Sequence, residues 1–184
     1  SSTYAIVASE ADNGVKIIDI SDVDNIVAKG TMGDTDSLEL DGAFGVDVFY
    51  STEDGNMPYA IVTGQVSDAF QIFSLNDTDR GPVPVANRTS SSTGFGLLDS
   101  PTGVATWNTT NNDSDRWAII TSNYTDSVTV VSLADPSNTS VTDTLVQNSQ
   151  LSLDGALRVE VSKIGDRHYA FVASNGTASS TGSN

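Results

Sequence analysis

The sequence predicts an all-β fold assembled from four-stranded antiparallel blades, with a repeat of about 55 residues. Three observations predict it. The chain matches itself: Tyr4-Ala5-Ile6-Val7 recurs as Tyr59-Ala60-Ile61-Val62, Trp117-Ala118-Ile119-Ile120 and Tyr169-Ala170-Phe171-Val172, at offsets of 55, 58 and 52 residues. The apolar segments between turn clusters alternate with a period of two, and no segment sustains a helical period. The acid is almost entirely Asp, 20 residues against 4 Glu. Asp opens turns and forms helices poorly, whereas Glu forms them well.

Each repeat reads as four elements in order. An inner strand follows a Leu-Asp step: Leu40-Asp41-Gly42-Ala43 leads into Val46-Asp47-Val48, Leu98-Asp99-Ser100-Pro101 into Val104-Ala105-Thr106, and Leu153-Asp154-Gly155-Ala156 into Val159-Glu160-Val161. The aromatic-Ala strand comes second. The third alternates with one strongly apolar face: Val15, Ile17, Ile18 and Ile20 correspond to Phe70, Ile72, Phe73 and Leu75, and to Val128, Val130, Val131 and Leu133. Asp22, Asp77 and Asp135 then open turns, and a weaker fourth strand follows, near residue 84 in the second repeat. Turn clusters such as Glu53-Asp54-Gly55-Asn56 and Asn111-Asn112-Asp113 separate the strands. Four antiparallel strands at this spacing are the arithmetic of a β-propeller blade.

Residues 4–30, YAIVASEADNGVKIIDISDVDNIVAKG, resemble the LVIVD-type repeat of bacterial and archaeal surface β-propellers: an aromatic-Ala-apolar-Val strand, an Asn-Gly turn, an apolar-Ile-Ile-Asp strand, then Ser-Asp. The later repeats depart from it, with Asp19 replaced by Ser74 and Ser132, and Gly14 by Ala69 and Ser127. The resemblance implies a propeller at a cell surface and no defined chemistry, because propellers host many functions.

The ring does not close within these residues. The repeats divide into a partial blade 1–39, blades 40–97 and 98–152, and a partial blade 153–184, with three, four, four and two strands. Closed propellers usually have at least four complete blades, and unpaired edges attract strands. The expectation is completion by further blades of a longer chain or by identical subunits, which would build a filament through head-to-tail contacts.

A net charge of −16 repels phosphate, which argues against nucleic acid and anionic membrane surfaces and favours cations or basic partners. There is no long apolar run, so no membrane span is expected. The chain has no Cys, which excludes disulfides, thiolate metal sites and a Cys nucleophile. It opens on Ser1, as a processed or trimmed polypeptide would.

Seven Asn-x-Ser/Thr sequons occur, at Asn76, Asn87, Asn108, Asn112, Asn123, Asn138 and Asn175. Composition alone predicts about three. All follow residue 75, at strand ends or in predicted turns, and they predict an extracellular glycoprotein bearing N-linked glycans. The Thr89–Thr93 run and the Ser179–Ser183 tail are candidates for O-linked sugar.

No G-x-S-x-G, G-x-G-x-x-G or phosphate-loop signature is present. His168, the single His, reads as a partly exposed strand-end residue. Asp pairs are the remaining catalytic option, and the expectation is a protein that is not an enzyme. Asp41, Asp99 and Asp154 recur at the start of the inner strands, on the same face as the loops carrying Asn13, Asp68 and Asp126. Convergent carboxylates there are a candidate Ca2+ site; the competing reading is that each Asp caps its own turn. Tyr4, Tyr59, Trp117 and Tyr169 read as packing residues between blades. Function is therefore expected to be that of an extracellular structural or adhesive surface glycoprotein, the subunit of a filament or surface layer. The alternative is a binding module holding a cation, a glycan or a protein on its acidic loop face.

Overall fold

The computed structural model describes residues 2–51, 54–77, 79–110 and 115–176. They form thirteen strands in four antiparallel sheets and contain no α-helix. Blade 1 is β1 (Tyr4–Ser9), β2 (Gly14–Asp19) and β3 (Val27–Gly33). Blade 2 is β4 (Ala43–Ser51), β5 (Met57–Gly64), β6 (Ala69–Ser74) and β7 (Val83–Thr89). Blade 3 is β8 (Pro101–Asn108), β9 (Arg116–Ser122), β10 (Ser127–Ser132) and β11 (Ser140–Val146). Blade 4 is β12 (Ala156–Ile164) paired with β13 (Arg167–Ser174). These are propeller-like blades in an incomplete ring, and every strand pairs with its sequence neighbour. Among the described residues no helix is long and apolar enough to cross a membrane.

Period-two alternation gives each sheet two apolar faces. One faces the next blade and is called the front; the other is the back. Ile61, Phe70 and Ile72 on the front of blade 2 meet Val104, Ala118, Ile120 and Val131 on the back of blade 3. Val15 on the front of blade 1 meets Val46, Val62 and Phe73 of blade 2. Ala105, Ile119 and Val128 of blade 3 meet Val159 and Val172 of blade 4. The core is therefore a series of blade-to-blade layers, and truncating Phe70 or Phe73, both fully buried, costs about 3–5 kcal/mol.

The aromatic positions meet the expectation in part: Tyr59 lies in the layer between blades 2 and 3. Tyr59 stacks on Phe49 at 5.4 Å and Trp117 on Trp107 at 5.8 Å, each the directly opposite residue on the neighbouring inner strand of the same blade. These are cross-strand pairs within a sheet. Tyr4 has no inner strand beside it and is exposed, as is Tyr169.

Candidate functional site

The loop face carries the most regular polar construction in the molecule. Three turn residues, Asn13, Asp68 and Asp126, have left-handed φ of 48°, 51° and 49°. Asn and Asp tolerate this conformation better than other side-chain-bearing residues. Each places its side-chain Oδ1 against the first turn of the following blade. Oδ1 of Asn13 accepts from the Gly42 amide at 2.9 Å, Oδ1 of Asp68 from Ser100 at 2.8 Å, and Oδ1 of Asp126 from Gly155 at 2.7 Å. The three donors also have positive φ. The carbonyls of Asn13, Asp68 and Asp126 hold the chain leaving their own blade, accepting from Asp34, Ser90 and Gln147 at 2.7–2.8 Å. Each blade thus grips its successor at one amide.

Asp41, Asp99 and Asp154 stand one residue before the gripped amides. Their carbonyls accept from Val66, Tyr124 and Gly176 at 3.1, 3.4 and 3.0 Å. The structure brings Asp99 and Asp68 together as a pair. Burial, then the charge of Asp68 and a hydrogen bond shared with it, raises the Asp99 carboxyl above its ordinary value. Among the described residues, no three His, Cys, Asp or Glu side chains are grouped so as to hold a metal ion. The turn openers do cap locally: Asp22 accepts from the Asp24 amide at 3.0 Å, Asp77 from Arg80 at 3.0 Å and Asp135 from Ser137 at 2.9 Å.

The sequons fall in several settings. Asn76 and Asn138 lie in the loops before the outermost strands β7 and β11, and both are exposed. Asn138 accepts from Arg88 at 3.4 Å. Asn108 ends β8, its amide donating to the Thr110 carbonyl at 2.8 Å. Asn123 follows β9 and is half-buried; Asn175 follows β13 and is exposed. Asn87 departs from the turn expectation, since it sits inside the outer strand β7. Asn112 and the Ser179–Ser183 tail lie outside the described residues. His168 is half-buried at the second position of β13.

The two ends of the blade series are open. On the back of blade 1, a groove of about 520 Å³ is lined by Val7, Lys16, Ile18 and Thr31 among others. On the front of blade 4, a groove of about 420 Å³ is lined by Arg158, Glu160, Phe171 and Ala173, and reaches Gly45 and Gly103 on the inner strands of blades 2 and 3. The Arg158 guanidinium crosses to blade 2 and lies 4.7 Å from the centre of the Phe44 ring. Phe171 is 54% exposed and Val7 43%.

No protein-family model and no curated protein sequence matches the chain. Solved structures share its fold. An exo-β-1,3-galactanase from Phanerochaete chrysosporium, solved with β-1,3-galactotriose, superposes with a TM-score of 0.67 at 7% identity, over 96% of this chain and 42% of its own. An exo-β-1,3-galactanase from Clostridium thermocellum gives 0.57 at 14% identity, over 94% and 39%. A protein from Lactobacillus plantarum gives 0.51 at 10% identity, over 81% and 40%. The chain spans about two fifths of the length of each. These likenesses bear on the fold, and they overturn the expectation that the chain is not an enzyme. Blades stacked this way carry glycoside-cleaving proteins, so the repeat pattern and the lack of short catalytic motifs give no ground for excluding catalysis.

Proposed function

We propose that the chain is a propeller segment of an extracellular surface glycoprotein with a structural or adhesive role, and that its open blades work by packing against further protein. The single observation that carries this reading is the unequal strand complement of the terminal blades. Blade 1 has three strands and presents β1 with a free inner edge; blade 4 has two among the described residues and presents β13 with a free outer edge. Free edges and exposed apolar side chains are costly to leave bare in water. The exposed sequon asparagines and the likeness of residues 4–30 to LVIVD-type surface repeats support the surface setting.

A second reading, a module that holds a cation, a glycan or a protein on the acidic loop face, is favoured by the Asp68–Asp99 pair, where two carboxyls share one half-buried spot. Electron microscopy of native material, with intact mass before and after glycan removal, tests the first reading. Ordered polymers, or a longer chain whose extra blades cover both ends, built from N-glycosylated polypeptide, are expected. Discrete unglycosylated particles with both ends bare would overturn it.

A further inference from the structure

One sequon asparagine, Asn108, lines a cleft between two blades. On the inner strand β8, Val104 packs in the layer between blades 2 and 3. Thr106 reaches blade 2 from the same face, its amide and hydroxyl donating to Oδ2 of Asp47 at 2.6 and 2.8 Å. Strand alternation puts Asn108 on that face as well. Arg116 stands directly opposite Asn108 in the ladder and is buried, and Ala118, two residues further along β9, is again part of the layer between blades 2 and 3. At the end of this layer a cleft of about 220 Å³ remains, lined by Phe49 and Tyr50 of blade 2 and by Thr106, Trp107, Asn108 and Arg116 of blade 3 among others.

The cleft is small, since pockets for free drug-sized ligands begin at about 300 Å³. It suits a single sugar ring, which has hydroxyls around its edge and an apolar C–H face. Aromatic carbon from Phe49, Tyr50 and Trp107 takes the apolar face, and Thr106 and Arg116 bring polar groups to the same wall. A ring joined to Asn108 is delivered there at an effective concentration of about millimolar or above, which a free monosaccharide lacks. The Asn108 amide can carry it without losing its present bond. Nδ2 has two hydrogens, and one is donated to the Thr110 carbonyl at 2.8 Å. In glycosylation Nδ2 bonds to the anomeric carbon of a diphosphate-activated sugar, the diphosphate leaves with the electron pair of the broken sugar–oxygen bond, and the other Nδ2 proton is lost to a base. The hydrogen held by Thr110 stays. We infer that Asn108 carries a glycan whose first ring sits in this cleft and joins blades 2 and 3 at the end opposite the loop face. The inference rests on the reading of the chain as an N-linked glycoprotein.

Glycopeptide mass analysis and thermal unfolding of the chain, secreted from a host that adds N-glycans, test it. Asn108 is expected to be occupied. In the folded protein, an amidase that cuts the Asn–sugar bond is expected to release its glycan several-fold more slowly than that of an exposed sequon, Asn76 or Asn138. After unfolding the rates are expected to be equal. Asn108→Gln is expected to lower the midpoint of the glycosylated chain by roughly 2–4 °C, and Asn76→Gln to leave it unchanged. In chain made without glycans, Asn108→Gln is expected to leave little of that loss, because the sugar and not the side chain fills the cleft. A bare Asn108 beside an occupied Asn76 or Asn138, release at the same rate from the folded protein, or an equal loss without glycans overturns the seated sugar and leaves the proposed function standing. Sequons that are all bare defeat this inference together with the glycoprotein reading.

Discussion

Asp68→Ala is the sharpest probe of how blades hold one another. The substitution removes the Oδ1 that accepts the Ser100 amide at 2.8 Å. Leaving a half-buried amide without its acceptor costs about 1–3 kcal/mol. It also leaves alanine at a φ of 51°, a conformation that costs an ordinary residue about 1 kcal/mol. The sum is about 3 kcal/mol, reduced toward about 2 because water reaches the loop. In a domain of this size each kcal/mol shifts the midpoint by about 2–4 °C, so the midpoint of thermal unfolding followed by circular dichroism should fall by roughly 4–8 °C. Asp68→Asn is the control. It keeps the acceptor, tolerates the left-handed backbone and relieves the repulsion with Asp99, so its midpoint should equal or exceed that of the wild type. An alanine variant within about 0.5 kcal/mol of wild type, or an asparagine variant as damaged as alanine, would refute the grip as a source of stability.

Three further outcomes are expected. Gly103→Ala places a methyl against the backbone of blade 4 and should destabilise by about 3 kcal/mol, while Gly96→Ala, with nothing within 4 Å, should be near neutral in the same denaturant titration. Asp99 has a folded-state pKa above its ordinary 3.8, so the folded chain holds more proton than the unfolded one across that window and stability falls as pH rises through it. Asp99→Asn should therefore raise the midpoint at neutral pH, with the gain vanishing as the pH drops below 3.8; a gain that persists in acid would contradict the cause. Millimolar Ca2+ should leave the midpoint unchanged, because Asp41, Asp99 and Asp154 are not gathered into a three-ligand group. A concentration-dependent upward shift would instead favour the reading in which the acidic loop face holds a cation.

Much of the fold was legible because the repeat is spelled in apolar residues. The order Leu40, Val46, Tyr59, Phe70 fixes which face each strand buries, and the count of three, four, four and two strands follows from which lines of the repeat each segment contains. The polar construction was only half legible. Asp41, Asp99 and Asp154 stand out in the sequence as recurrent carboxylates, and the side-chain oxygens that accept the next blade's amides belong to Asn13, Asp68 and Asp126. The repeat held the signal, since those residues recur nine positions after each aromatic. Their partners lie in the next blade, which local reading does not reach. Gly45 and Gly103 were missed for a similar reason: a strand glycine reads as a bulge, and here the bulge coincides with a close approach by a neighbouring sheet. The enzyme exclusion failed differently. Absence of short motifs is informative for folds that need them, whereas a propeller collects side chains from separate blades that no linear pattern connects.

The grip on the loop face also sets an order of assembly. Asn13 waits for an amide that lies only about 30 residues ahead, and Asp68 and Asp126 do the same. No hold of this series spans the molecule. A ribosome releasing the chain from its first residue would supply each grip with its partner shortly after the grip forms, so docking can keep pace with synthesis, one sheet at a time. The long-range pairings that slow most all-β domains are thereby avoided, and a chain stopped between blades would hold a stack already folded behind it.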